Sequence, residues 1–87
     1  MELSDYRQQI DRIDDQICKL FEQRMNVVRA VGEYKRRHAI PVSDGSREEE
    51  VLQRVSRALS PELEPYGRDL YRAIFDISKA YESPVVK

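Results

Sequence analysis

From Asp5 to about His38 the chain contains no proline and a single glycine, Gly32. Apolar or aromatic residues recur there at Tyr6, Ile13, Leu20, Val27 and Tyr34, and a second series runs through Ile10, Ile17 and Val31. The two series interleave by four and three, which marks the seam of an amphipathic helix. The pattern predicts a helix over residues 5–38, capped by Ser4 and ~50 Å long at 1.5 Å per residue. Residues 39–45 (AIPVSDG) break the period with Pro and Gly and read as a loop. Ser46-Arg47-Glu48-Glu49 has capping-box form and predicts a second helix over 46–59, with Val51, Leu52, Val55, Ala58 and Leu59 facing inward. Ser60 and Pro61 open a third helix over 61–82, built on Leu63, Tyr66, Leu70, Ile74, Ile77 and Tyr81, with Pro65 as a second candidate start. Ser83-Pro84 should stop it, leaving 83–87 as a tail. No segment alternates with period two. The expected fold is all-α: one domain over residues 1–87, with three helices in the order long, short, medium.

The first helix is too long for the rest of the chain. A compact domain of 87 residues has a radius of gyration of only ~12 Å. The apolar seam runs almost the full ~50 Å, so the second and third helices can cover only part of it. The expected cover is a second copy of the chain related by twofold symmetry, in an intertwined homodimer.

Charge changes the picture less than its abundance suggests. Charged residues make up 36 % of the chain, against about 25 % in ordinary domains, yet the formal net charge is −1. That balance argues against a general nucleic-acid binder, a polyacidic tail and a basic membrane-surface peptide. The basic residues are eleven Arg and four Lys, a skew toward the side chain that captures carboxylates and phosphates bidentately. With one Cys (Cys18) and one His (His38), there is no internal disulfide, zinc cluster or catalytic triad to build. The three glycines form no phosphate-cradling motif. The first residues, MELSDYRQQ, do not read as a signal peptide, and a lone thiol fits a reducing cytoplasm.

Several charges sit where a core residue is expected. Arg24 interrupts the series Ile10, Ile17, Val31, and a cation on a buried seam must be paired or held at the edge by its aliphatic stem. Lys35 follows eleven residues later, three helical turns on, and projects within ~20° of Arg24. Glu48 lies four residues before Leu52 on the inward side of the second helix, with Arg47 beside it, although an acidic first turn is also ordinary dipole compensation. Ser78 and Glu82 share a stripe with Tyr71 and Phe75, and by period alone Glu82 reads as an exposed residue in a last helical turn. Arg7 occupies the same heptad position as Phe21, Val28 and Lys35. Seventeen residues, ~25 Å of helix, separate it from Arg24, so the two reach one small-molecule site only if Arg7 comes from a partner chain.

Taken in register, Arg7, Arg24, Lys35, the run Asp44-x-x-Arg47-Glu48, Ser78 and the polar residue at 82 resemble the small all-helical class of chorismate mutases, over about residues 4 to 82. The segment PVSDGSREEEVL is similar to that family's loop-to-helix run. The resemblance implies conversion of chorismate to prephenate, a [3,3] Claisen rearrangement in phenylalanine and tyrosine biosynthesis, with no cofactor and no metal. It further implies that Arg24 and the partner chain's Arg7 bind the substrate carboxylates, and that Lys35 donates to the ether oxygen and a carboxylate. Glu48 and the backbone at Asp44 would hold the ring hydroxyl, with Arg47 and Ser78 lining the site. Position 82 departs from the bacterial pattern, which has Gln; fungal relatives carry Glu. Glu82 can donate to the ether oxygen only when protonated, so activity is expected to fall as pH rises.

Two alternatives remain at this point: an isochorismate pyruvate-lyase on the same fold, and a non-catalytic helical dimerisation module. The lyases share the cations but not the Asp-x-x-Arg-Glu run. The residues leave open whether the domain is free-standing or part of a fusion, and whether the tail docks on another aromatic-pathway enzyme.

Overall fold

The computed structural model describes residues 1–86, which form three α-helices: α1 (Leu3–Arg37), α2 (Gly45–Ala58) and α3 (Glu64–Val86). No strand occurs among the described residues. Lys87, the last residue of the expected tail, lies outside them.

The helix ends depart from expectation for local reasons. α1 starts two residues earlier than Ser4 would allow, because the Glu2 N–H donates to Asp5 Oδ2 at 2.9 Å and Glu2 becomes the cap. α2 is capped by Asp44 rather than Ser46: the Asp44 carboxylate accepts from the Arg47 N–H at 3.1 Å, and the Ser46 hydroxyl supports it at 3.0 Å. Residues 61–63 form a turn, with the Leu63 and Glu64 N–H groups both on the Ser60 carbonyl at 3.0 Å. Pro65 has no N–H to carry that turn onward, so α3 begins beside it. At the other end Pro84 does not stop α3, which continues to Val86. A proline in the last turn costs one backbone bond, the one to the Ala80 carbonyl, and the helix carries on past it; the Ser83 hydroxyl donates back to the Lys79 carbonyl at 2.7 Å.

α3 is the central element, packed against α1 on one side and α2 on the other. Its inward face is not the predicted seam. Gly67, Phe75, Ser78 and Glu82 are buried, whereas Leu63, Tyr66 and Leu70 are more than half exposed. The close approach of α2 depends on Gly67, where a Cβ would run into Leu59 Cδ1. Arg68 then fastens the two helices through Ser56 Oγ (2.8 Å) and the Leu52 carbonyl (3.4 Å).

α1 turns a similarly different face inward. Gly32 is buried and Arg24, Met25, Val28 and Lys35 are half-buried, but Tyr6, Ile10, Ile13, Ile17 and Leu20 are each more than half exposed. Among the described residues the buried apolar side chains of the single chain are Leu52, Val55 and Phe75. The molecule measures 54 × 25 × 15 Å with a radius of gyration of 16.0 Å, well above the ~12 Å of a compact chain this long.

Candidate active site

A cavity of about 310 Å³ opens where the C-terminal half of α1, the start of α2 and the second half of α3 converge. Seven of the eight expected site residues line it: Arg24, Lys35, Asp44, Arg47, Glu48, Ser78 and Glu82. Arg7 does not; it lies on the exposed N-terminal half of α1. Val27, Val28, Val31, Val51 and Phe75 supply an apolar wall.

Two backbone features bring α1 and α3 into position. After α1 the chain reverses at Ala39, whose φ of 54° lies in the left-handed region, while the Ile40 N–H closes on the Lys35 carbonyl at 2.9 Å. A non-glycine residue in that conformation costs about 1 kcal/mol. The reversal returns the Val42 carbonyl to Lys35, whose ammonium donates to it at 2.9 Å. Further up the helix, a Cβ at Gly32 would sit 3.0 Å from Glu82 Cγ and 3.3 Å from Val85 Cβ. The glycine thus lets the end of α3 lie against α1.

Glu82 departs from the reading by helical period alone and lines the cavity as the resemblance implies. It is 6 % exposed, not a solvated residue of a last turn, because α3 runs on for another turn beyond it. Its Oε1 lies 2.8 Å from the Lys35 ammonium. Among the described residues that atom has no partner of hydrogen-bonding geometry, so the lysine charge alone compensates it. Lys35 has three N–H donors; Val42 takes one, Glu82 faces another, and the third remains for a ligand.

The Arg24 guanidinium donates to Ser78 Oγ at 2.6 Å. Ser78 is buried, and with its oxygen occupied as acceptor its own proton can be donated into the cavity. Among the described residues no carboxylate pairs with Arg24, whose acceptor is a neutral hydroxyl. Among the described residues the Arg47 guanidinium pairs with Glu50, at 3.4 Å on the exposed surface, a pairing of little energetic weight. The Asp44 carboxylate is held below the usual range, first by the Arg47 N–H, then by the Ser46 hydroxyl, with Lys35 adding a smaller pull. Because its folded value is depressed, Asp44 stays charged at neutral pH, and its capping of α2 is lost only as pH falls through that lowered value.

Sequence reasoning passed over Lys79, which lines the same cavity and reaches Glu48 Oε2 at 3.3 Å. The signal was available: Lys79 is four residues after buried Phe75 and three before Glu82. The complete lining holds four cations against three carboxylates. Chemically, it can bind a small dianion, offer directed N–H and O–H donors to an oxygen that gains charge, and accept from a hydroxyl.

Comparison with known proteins agrees with this chemistry. The chain is 34 % identical over 56 residues (64 % of its length) to a bifunctional chorismate mutase/prephenate dehydratase of Aquifex aeolicus, covering 16 % of that protein. It is 28 % identical over 82 residues to a chorismate mutase of Methanocaldococcus jannaschii, covering 92 % of the chain and 83 % of the relative. It is 35 % identical over 68 residues (78 % of its length) to the T-protein of Haemophilus influenzae, of which it spans 18 %. No solved structure gives a significant match. The pattern of the chorismate mutase type II family matches residues 6–83, nearly the whole chain, and the protein belongs to that family.

Proposed function

We propose that the chain converts chorismate to prephenate by a [3,3] rearrangement serving phenylalanine and tyrosine biosynthesis, in a site that two copies complete. The observation that carries this reading is the convergence of Arg24, Lys35, Glu48, Ser78 and Glu82 on one cavity. Arg24 clamps one substrate carboxylate with its unused N–H groups, and Ser78 donates to the same end. Holding the dianion compact sets the enolpyruvyl terminus over the ring, which is catalysis by proximity. As the C–O bond breaks, the ether oxygen gains charge, and the free N–H of Lys35 is preorganised to meet it. Glu48 and the Asp44 backbone take the ring hydroxyl. Incubation with chorismate and with isochorismate separately tests the reading: prephenate from the first supports it, and salicylate from the second supports the lyase. The Asp44-x-x-Arg47-Glu48 run at the cavity favours the mutase. A dimerisation module would turn over neither.

Glu82 faces the Lys35 ammonium at 2.8 Å on the cavity wall. Glu82→Gln places a permanent N–H donor there and is expected to raise kcat, because a preorganised donor stabilises charge developing on the ether oxygen. A kcat that the substitution leaves unchanged or lowers removes position 82 from this role.

The second copy is supported by the apolar residues that one chain leaves in water: Ile10, Ile13, Ile17 and Leu20 on α1, and Tyr66 and Leu70 on α3. Paired α1 helices cover these seams and carry the partner's Arg7 toward the site, where it adds the second guanidinium for a dicarboxylate. Mixing inactive Arg7→Ala and Lys35→Ala protomers tests this. If Arg7 acts across the interface, random mixed dimers hold one intact site each and about a quarter of wild-type activity returns. If Arg7 serves its own chain, none returns.

A further inference from the structure

Lys79 has no part in the roles given above, yet it stands on the cavity wall between Ser78 and Glu82. Its ammonium lies 3.3 Å from Glu48 Oε2, across the gap between α3 and α2. A second acid is available on its own helix, Asp76, at 3.9 Å. The Asp76 side chain is 81 % exposed, whereas those of Lys79 and Glu48 are 34 % and 30 % exposed. The cross-helix pair is therefore shorter and less screened. On the opposite wall Lys35 faces Glu82 at 2.8 Å. Each inward glutamate thus has its own lysine, and among the described residues no carboxylate pairs with Arg24, whose acceptor is a neutral hydroxyl.

We infer that Lys79 is a positioning residue: its ammonium offsets and orients the Glu48 carboxylate, so that a dianion can enter beside it. With Lys79 in place, Glu48 addresses a ligand hydroxyl instead of closing on Arg47 or Arg24. This deepens the mutase reading and rests on it for the identity of the ligand. Without the ammonium, a bare carboxylate faces a doubly negative ligand across the cavity. The penalty falls on binding more than on the chemical step, because Lys79 touches neither bond that forms or breaks.

Lys79→Met keeps the aliphatic stem and the helix propensity while removing the charge. Its KM for chorismate is expected to rise about tenfold, with kcat within about threefold of wild type. Lys79→Arg recovers most of the affinity. The ratio of variant to wild-type KM shrinks as salt is raised from ~0.1 M to ~1 M, where the Debye length falls to ~3 Å. In a Glu48→Gln background, Lys79→Met has little further effect, because no charge remains to offset. A KM penalty that is equal in both backgrounds and indifferent to salt overturns the inference. Calorimetric titration with an unreactive bicyclic diacid, shaped like the compact transition state, repeats the comparison without turnover. A wild type that binds the diacid but leaves chorismate unchanged overturns the mutase reading, and the Lys79→Met affinity then decides the pair alone. A wild type that converts chorismate while Lys79→Met binds the diacid equally well overturns only the inference. Binding of neither compound overturns both.

Discussion

Lys35→Met is expected to lower kcat by about a thousandfold and, unusually for a residue assigned to a site, to destabilise the fold as well. The catalytic part follows from the one N–H of Lys35 that neither Val42 nor Glu82 uses. Loss of a preorganised donor to a charge-gaining oxygen commonly costs about 3–4 kcal/mol, a factor of 10²–10³. The structural part follows from Glu82, whose Oε1 has no compensation except Lys35 and whose side chain is 7 % exposed. Breaking a buried pair from one side costs about 3–5 kcal/mol, less whatever the carboxylate recovers by taking up a proton. The two parts separate in the double variant Lys35→Met/Glu82→Gln, which removes the stranded charge. Thermal melting is expected to return most of the way to wild type while kcat stays low. Recovery of both together would make Lys35 a purely structural residue.

Arg24→Ala is expected to lower kcat/KM about a thousandfold with a much smaller change in melting temperature. The side chain is only half-buried, and its partner, the Ser78 hydroxyl, is neutral, so removal leaves no uncompensated charge. What is lost is the bidentate hold on a carboxylate and the orientation of Ser78, of order 4 kcal/mol in the transition state. Arg24→Lys restores a point charge without the planar fork and recovers only part of the rate. Steady-state kinetics with melting curves on the same preparations check this. A variant that loses stability while turnover per folded molecule is unchanged would assign Arg24 to packing and favour the dimerisation module.

The three helices were legible because their breaks are written in strong punctuation, Pro41 with Gly45 and Pro61 with Pro65. Their ends were less so, because neighbouring polar residues compete to cap: Asp44 and Ser46 both fit, and only the Arg47 N–H decides between them. The face of α3 that packs within one chain differs from the apolar series for a different reason. Periodicity follows the series Leu63, Tyr66 and Leu70, which one chain leaves exposed, while the stripe packed within the chain is Gly67, Ser78 and Glu82 around Phe75. Small and polar residues face inward there because α2 must come close and a cavity must be lined. Glu82 could not be read as buried from its own helix, since the space for it is made on another element, at Gly32. Arg24 was legible for the opposite reason: it interrupts an otherwise apolar series.

Among the described residues only three apolar side chains are buried in one chain, and none of the large ones is fully enclosed. Most of the surface that could hold the fold together faces outward along α1 and α3. In a paired assembly, folding and association then become one equilibrium, governed by mass action. For the proposed dimer, dilution would remove the partner's guanidinium and the missing core in the same step, so specific activity and melting temperature are expected to decline together as the protein concentration drops.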